Sequence, residues 1–475
     1  MANRGNFSGR IGFILTAAGS AVGLGNIWKF PYLAGQNGGA AFLFIYLFCI
    51  FLLCYPVMVG EISIGRHAGL DAYGSYTKLG GRRWGMVGLF GITVGIFILS
   101  FYNVVAGWAF GYFLHTAFGS LQNETDYGTF FGNFVNDILD LRSAEGLANS
   151  NLLFSGVFMA MTAFIVARGI QKGIEAANKI MMPMLYVILI LIIIYALTLP
   201  NAMAGVKYYL VPDLGELKIQ TFFEGLKQAF FSLSLGMGTL MTYGSYLKKN
   251  ENISSSVATI AIADTSVAFL SGLMIFPLVF FLQAKLNVTE VATAGPPLIF
   301  IVLPQIFHEM GPLLGRVIGG LFFLLVCFAA LTSTISLLEV PVAYLVDQKR
   351  MSRRKVSWAM ALLIFVLGIP VMVSQGMVPA LNKLFFYKGQ DYLVFVADMC
   401  DISLTVGGCL MCIFIIKRWK IGNMNAELAH GNPNYQGSFI KKYINFTIQY
   451  ICPVLLGVIS VLIIIDKFFG LDRVF

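Results

Sequence analysis

The chain has 475 residues, of which 58% are hydrophobic and 12% charged, and it carries a formal net charge of +9. A composition so apolar excludes an ordinary water-soluble domain, and stretches of about 20 apolar residues, long enough to cross a hydrocarbon core, recur along nearly the whole chain. The surplus of cations is no nucleic-acid footprint, because Lys and Arg sort by loop as the positive-inside rule requires.

In chain order, eleven stretches meet the length criterion for a membrane helix: 11–33, 40–65, 86–117, 151–168, 176–198, 221–247, 254–284, 314–346, 357–375, 391–416 and 444–466. Unbroken apolar runs such as Tyr186 to Leu199 lack the alternation of a β-barrel, so an all-α membrane protein is expected. The loop at 118–150 carries Glu124, Asp126, Asp137, Asp140 and Glu145 against a single Arg142 and reads as extracytoplasmic. Cationic loops such as Arg350, Arg353, Arg354 and Lys355 read as cytoplasmic. This sorting predicts a multi-pass protein of the plasma (cytoplasmic or inner) membrane with its N-terminus inside and, for an odd number of spans, its C-terminus outside. The seven cysteines fall within apolar spans, so no disulfide is expected.

Two spans are poor helices at their centres. The first holds Gly19-Ser20-Ala21-Val22-Gly23-Leu24-Gly25-Asn26 and the sixth holds Ser232-Leu233-Ser234-Leu235-Gly236-Met237-Gly238. Glycine costs about 1 kcal/mol relative to alanine in a helix interior. Unwound backbone at membrane depth survives only where it is buried in protein or lines a cavity. One such cluster alone reads as close helix packing, but two of them five spans apart point to inverted repeats with a site at the midplane. The predicted repeats cover about 8–200 and 220–418, with an extra helix at about 443–467, all within a single transmembrane domain. Each break frees amide N–H groups for a carboxylate and carbonyls for an ammonium or small cation, and an amino acid presents both. In the seventh span Asp264 is an ionisable group at membrane depth, functional by default. No phosphate loop, HExxH or Rossmann fingerprint is present and the four histidines are scattered. An enzyme or ATP-driven pump is therefore not expected, and coupling falls to an ion gradient.

Six stretches together resemble the neurotransmitter:sodium symporter family, in particular its bacterial amino-acid transporters. They are Arg10-Ile11-Gly12 leading into GSAVGLGNIWKFP (Gly19 to Pro31), QNGGAAF (Gln36 to Phe42), PVMVGEISIGR (Pro56 to Arg66), GIQKGIEAANKIMMP (Gly169 to Pro183), FFSLSLGMGTLMTYGSY (Phe230 to Tyr246) and AALTSTISLLEVPVAYLVD (Ala329 to Asp347). The resemblance implies the leucine-transporter fold and sodium-coupled symport of a hydrophobic amino acid, aliphatic or aromatic, by alternating access. It also implies two sodium ions, a monomer or weak oligomer in the lipid bilayer, and no nucleic-acid partner.

By matched position, the resemblance puts the first sodium among the Ala21 carbonyl, Asn26, Ser232, Asp264 and the substrate carboxylate, and the second among carbonyls of Gly19, Val22 and Ala329 with the hydroxyls of Thr332 and Ser333. Oxygen ligands suit a small hard cation. The substrate is expected against Ala21, Leu24, Gly25, Ile98, Tyr102, Phe231, Ser232, Ser234, Met237, Ser333 and Leu337. Gly23 stands where the family's monoamine carriers place an aspartate, which favours a substrate keeping its own carboxylate. Of the groups that bind chloride in dependent relatives, Tyr46, Gln228 and Ser232 match while Asp264 and Ala268 do not, so no chloride requirement is expected.

The inner gate is expected to be Arg4 with Asp347, next to Tyr246, and Gly173 and Pro183 match a motif associated with unwinding in span 5. The outer gate departs from the pattern. Lys29 replaces the usual arginine, and aligning span 10 on Gly407 and Gly408 puts Val396 at the partner acid, with Asp391, Asp398 and Asp401 as displaced candidates. A cation channel, or a symporter of a different small amine or osmolyte, remains as an alternative.

Overall fold

A computed structural model describes residues 5–136, 150–212, 215, 218–286, 297–375, 378–384, 387 and 390–469. Among these residues every regular element is a helix. The first expected span is two helices, α1 (Arg10–Ala21) and α2 (Gly25–Gln36), bent by 52° at their junction. The other spans of the first half are α3 (Ala40–Ala68), α5 (Arg82–Phe118), α7 (Asn151–Ala167) and α8 (Ile170–Ala196). The short helices α4 (Ala72–Gly80), α6 (Tyr127–Asn136) and α9 (Ala202–Leu210) lie between or after them.

The sixth span is again split, into α10 (Ile219–Ser232) and α11 (Thr239–Gly244). It is followed by α12 (Ile253–Leu286), α13 (Leu298–Glu309), α14 (Pro312–Lys349), α15 (Arg353–Val373), α16 (Tyr392–Trp419), α17 (Ile421–Ala429) and α18 (Phe439–Ile465). All eleven expected spans thus have a counterpart. The sequence reading passes over the short helices, because each is too brief for a hydropathy window.

Burial sorts the helices by position. The most apolar window of α14 is 78% buried, whereas that of α18 is 33% buried and exposes Val454, Val458 and Val461. Exposed apolar residues three and four apart mark a lipid-facing stripe, so α18 is peripheral and α14 central. Against α14 pack α1, α5 and α8, and within this group lie Gly19, Ala21, Ile98, Tyr102, Thr332 and Ser333 of the expected site.

The two breaks have different local causes. In the first, the ladder ends where Val22 N–H reaches Ala18 O at 2.7 Å, Val22 turns extended, and helix resumes once Asn26 N–H reaches Gly23 O. In the second, Ser234, Gly236 and Gly238 all take positive φ, at 55°, 80° and 78°. Glycine enters that region freely, whereas a serine there is mildly strained. The Gly236 N–H freed by the break is capped by Glu61 Oε1 of α3 at 2.8 Å, which gives this buried carboxylate a structural partner. A third irregularity opens α8, where Gly169 has a φ of 88° and residues Ile170–Glu175 form a π turn ahead of Pro183.

Candidate functional site

Between the two breaks lies a small cavity, with about 20 Å³ open to the centre of a water molecule. Its wall includes Ala21, Gly25, Ile98, Tyr102, Phe231, Ser232, Ser234, Met237, Ser333 and Leu337, all of them expected substrate residues. Leu24 contributes through its backbone, whose N–H donates to the Tyr102 hydroxyl at 2.8 Å. Ser234 Oγ donates to the Ser20 carbonyl at 3.0 Å, tying the second break to the first. A Cβ on Gly23 would lie 2.5 Å from Ser333 Oγ and 2.6 Å from the Tyr102 hydroxyl, so these two side chains use the space an aspartate would need. Among the described residues, no aspartate, glutamate, lysine or arginine lines this chamber.

Beside it, the residues expected around a first cation form one buried polar cluster. Ser232 Oγ donates to Asp264 Oδ1 at 2.8 Å, Tyr46 donates to Asp264 Oδ2 at 3.2 Å, and Asn26 Nδ2 reaches Asp264 Oδ1 at 2.8 Å and Ser232 Oγ at 3.0 Å. Asp264 is fully buried, a placement whose cost is offset by these three side-chain donors. The Asn26 amide turns its nitrogen to the cluster, and its oxygen accepts from Gly23 N–H at 2.9 Å. Service as an oxygen ligand requires the amide to turn over, which exchanges two groups of similar shape. Gln228 donates to the Gly25 carbonyl at 2.7 Å while its own Oε1 is buried without a donor.

Residues expected around a second cation converge where α1 meets α14. Thr332 Oγ1 lies 3.3 Å from Val22 O and 3.0 Å from Ala329 O, and Ser333 Oγ lies 3.3 Å from Val22 O. Gly19 faces the same place, since a Cβ there would stand 3.4 Å from Thr332 Cβ. Four oxygens so spaced, none of them carrying a formal charge, are a donor set for a hard monovalent cation.

Larger cavities, each of about 790 Å³, lie at the two ends of the first span. The one at the α2 end has Tyr102 and Phe231 as its floor, with Lys29, Asp398 and Asp401 on its wall. Lys29 Nζ pairs with Asp401 at 2.9 Å and sits 4.5 Å from the centre of the Phe231 ring, while Asp398 pairs with Lys467. Of the three displaced candidates, the acid facing Lys29 is Asp401, while Val396 at the matched position is buried and apolar. A lysine has a single point charge on a flexible stem, and here it reaches a carboxylate five residues further along α16.

The cavity at the other end is bounded by Phe7, Tyr246, Asp347 and Arg353. Asp347 accepts from Asp71 N–H at 3.0 Å, and Tyr246 donates at 2.8 Å to Glu339, which is ion-paired with Arg353. Arg4, the expected partner of Asp347, lies outside the described residues. The sequence reading leaves the Glu339–Arg353 pair unassigned, because its members sit in different helices and no motif joins them.

A closed chamber at two interrupted helices, with a larger cavity toward each end of the bundle, defines a membrane carrier. The comparisons give the family. A model of the sodium:neurotransmitter symporter family matches residues 4–129 and 121–469, and the chain belongs to that family of sodium-dependent transporters, which are not enzymes. It is 38% identical to the sodium-dependent transporter YhdH of Bacillus subtilis over 457 residues, covering 94% of this chain and 95% of that one. It is 29% identical over 406 residues to the sodium-dependent serotonin transporter of Drosophila melanogaster, covering 77% of this chain and 64% of the fly protein. Among solved structures, MhsT in complex with L-phenylalanine superposes with a TM-score of 0.85 at 38% identity, over 97% of this chain and 99% of MhsT. Membership of a symporter family sets aside the channel alternative.

Proposed function

We propose that the protein carries a hydrophobic amino acid, aliphatic or aromatic, together with two sodium ions, by alternating access and without chloride. The observation that carries this reading is the chamber itself: backbone from both breaks at its ends and Ile98, Phe231, Met237 and Leu337 along its wall. A carboxylate and an ammonium are matched by the breaks, and an apolar side chain by the wall. The phenylalanine bound to MhsT supports the same substrate class. The substrate carboxylate meets the first sodium and the Leu24 and Gly25 amides, and its ammonium meets carbonyls of Ala21, Phe231 and Ser232.

Asp264 supplies the negative charge beside the first sodium and, held between Tyr46 and Ser232, repels a chloride there. Spans 1–5 and 6–10 act as inverted repeats that move against each other, and the Lys29–Asp401 pair closes the outer side. The chain sits in the plasma membrane with its N-terminus in the cytoplasm and works as a monomer or weak oligomer.

Equilibrium binding to purified protein, with a panel of amino acids in sodium or potassium buffers, tests this directly. Leucine, phenylalanine or tryptophan should bind only with sodium, and replacing chloride by gluconate should change nothing. Preference for charged amino acids, or for an amine or osmolyte lacking a carboxylate, would overturn the substrate class, and loss of binding in gluconate would overturn chloride independence.

A further inference from the structure

The second cation position has a neighbour that none of the expected ligands includes. Asn178 lies on α8, three residues past its π turn, and is 1% exposed. Its Nδ2 donates to the carbonyl of Ile174, one helical turn back, at 2.8 Å. That bond fixes which way the amide faces, since the reverse orientation would set two carbonyl oxygens against each other. Asn178 Oδ1 is therefore held pointing away from its own helix, and it is buried with no hydrogen-bond donor. A buried amide oxygen without a partner costs about 1–3 kcal/mol and calls for an explanation.

The oxygen points at the crossing of α1 and α14. A Cβ on Gly19 would come within 2.0 Å of Asn178 Oδ1 and 3.4 Å of Thr332 Cβ, so the amide oxygen rests on the bare Cα of Gly19, on the side where Thr332 stands. Any side chain at position 19 would displace it. The gathered oxygens of Val22, Ala329, Thr332 and Ser333 come from α1 and α14 alone. Asn178 is the buried polar group that α8 directs to the same place.

We infer that Asn178 Oδ1 is a further oxygen donor for the cation held between α1 and α14, supplied by a third helix, α8. The inference rests on the proposed second sodium ion.

The test is sodium titration of amino-acid binding to the purified full-length protein, comparing wild type with Asn178→Ala, Asn178→Asp and Thr332→Ala. Asn178→Ala should raise the sodium concentration for half-maximal binding by about tenfold, a cost typical of one lost polar contact. Its affinity for the amino acid at saturating sodium should stay near wild type, which a merely unfolded or loosened variant would not show. Asn178→Asp keeps an oxygen at that place and should titrate at or below the wild-type sodium concentration. Combining Asn178→Ala with Thr332→Ala should shift the midpoint by less than the two single shifts together, as expected of ligands to one ion.

An unchanged midpoint in Asn178→Ala overturns the inference and leaves the proposed symport standing. Should Asn178→Ala not fold, Asn178→Asp decides alone, and a midpoint raised tenfold there is the overturning result. Wild-type binding indifferent to sodium would instead bring down the proposed function, and this inference with it.

Discussion

The two broken spans solve the same problem by different means. In the first, three residues separate α1 from α2, the bend is 52°, and the freed groups are met by side chains around the chamber: Gly23 N–H by Asn26, Leu24 N–H by Tyr102 and the Gly25 carbonyl by Gln228. In the second, six residues separate α10 from α11, three of them have positive φ, and the freed groups are held by the surroundings. Glu61 caps Gly236 N–H, and a Cβ on Gly236 would lie 2.2 Å from the Leu404 carbonyl of α16. The first break is thus lined by side chains at the chamber, and the second is a joint pressed against the backbone of its scaffold. Asp264 spans the difference, since it binds Asn26 from the first and Ser232 from the second.

The largest expected effect follows from cutting that tie. Asp264→Ala leaves Asn26, Ser232 and Tyr46 buried without their shared acceptor, and sodium-driven uptake should fall more than a hundredfold, roughly the 3–5 kcal/mol of a broken buried charge cluster. Uptake within tenfold of wild type would mean that the two breaks do not depend on this carboxylate.

Next come paired glycine substitutions that separate the joint from the first break. Gly236→Ala forces a Cβ against backbone at a φ of 80° and should cost about 2–4 kcal/mol, read as a lowered melting temperature in detergent. Gly25→Ala meets side chains, the Phe231 ring at 3.1 Å and Gln228 Nε2 at 3.7 Å, so it should leave stability within about 1 kcal/mol while weakening amino-acid binding about tenfold. Equal melting temperatures for the two variants would erase the contrast.

Smaller still is the effect at the rim of the first break. Asp401→Asn removes the partner of Lys29, and dissociation of bound amino acid should quicken about threefold to tenfold, whereas Asp391→Asn, the N-cap of α16, should not change it.

The smallest effect is expected far from both breaks, at Glu427 of α17. Burial alone would raise its carboxyl, but hydrogen bonds from Lys249, His67 and Arg66 outweigh this and hold it below the usual carboxylate range. A depressed folded-state value stabilises above the unfolded value of about 4.3 and is lost as pH falls through the folded one. The melting temperature should therefore drop on acidification below about pH 4–5, and Glu427→Gln should flatten that slope.

Much of this was legible beforehand because membrane spans are long and glycine clusters inside them are conspicuous. The eleven spans and both breaks follow from length, hydropathy and helix propensity alone, with Gly23, Gly25, Gly236 and Gly238 as the deciding residues. Gathering Ile98, Tyr102, Met237 and Leu337 at one chamber needed the family resemblance, since nothing in their local sequence distinguishes them from lipid-facing or packed residues. The partner of Lys29 was not legible. Three aspartates within eleven residues, the N-cap Asp391 and Asp398 and Asp401 of α16, differ in helical phase and depth, and the reach of a lysine stem decides among them. Asn178 was passed over because one amide in an apolar helix is usually satisfied by its own backbone; only its unpaired oxygen distinguishes it.

The matched cavities at the two ends of the first span have an electrical consequence. If water and salt fill both, the membrane potential no longer falls evenly over the bilayer but is concentrated on the protein that separates them, between Phe231 and Tyr246. Each sodium ion crossing that barrier gains about 2.3 kcal/mol per 100 mV. The step that carries an ion from one cavity to the other then draws on nearly the whole voltage.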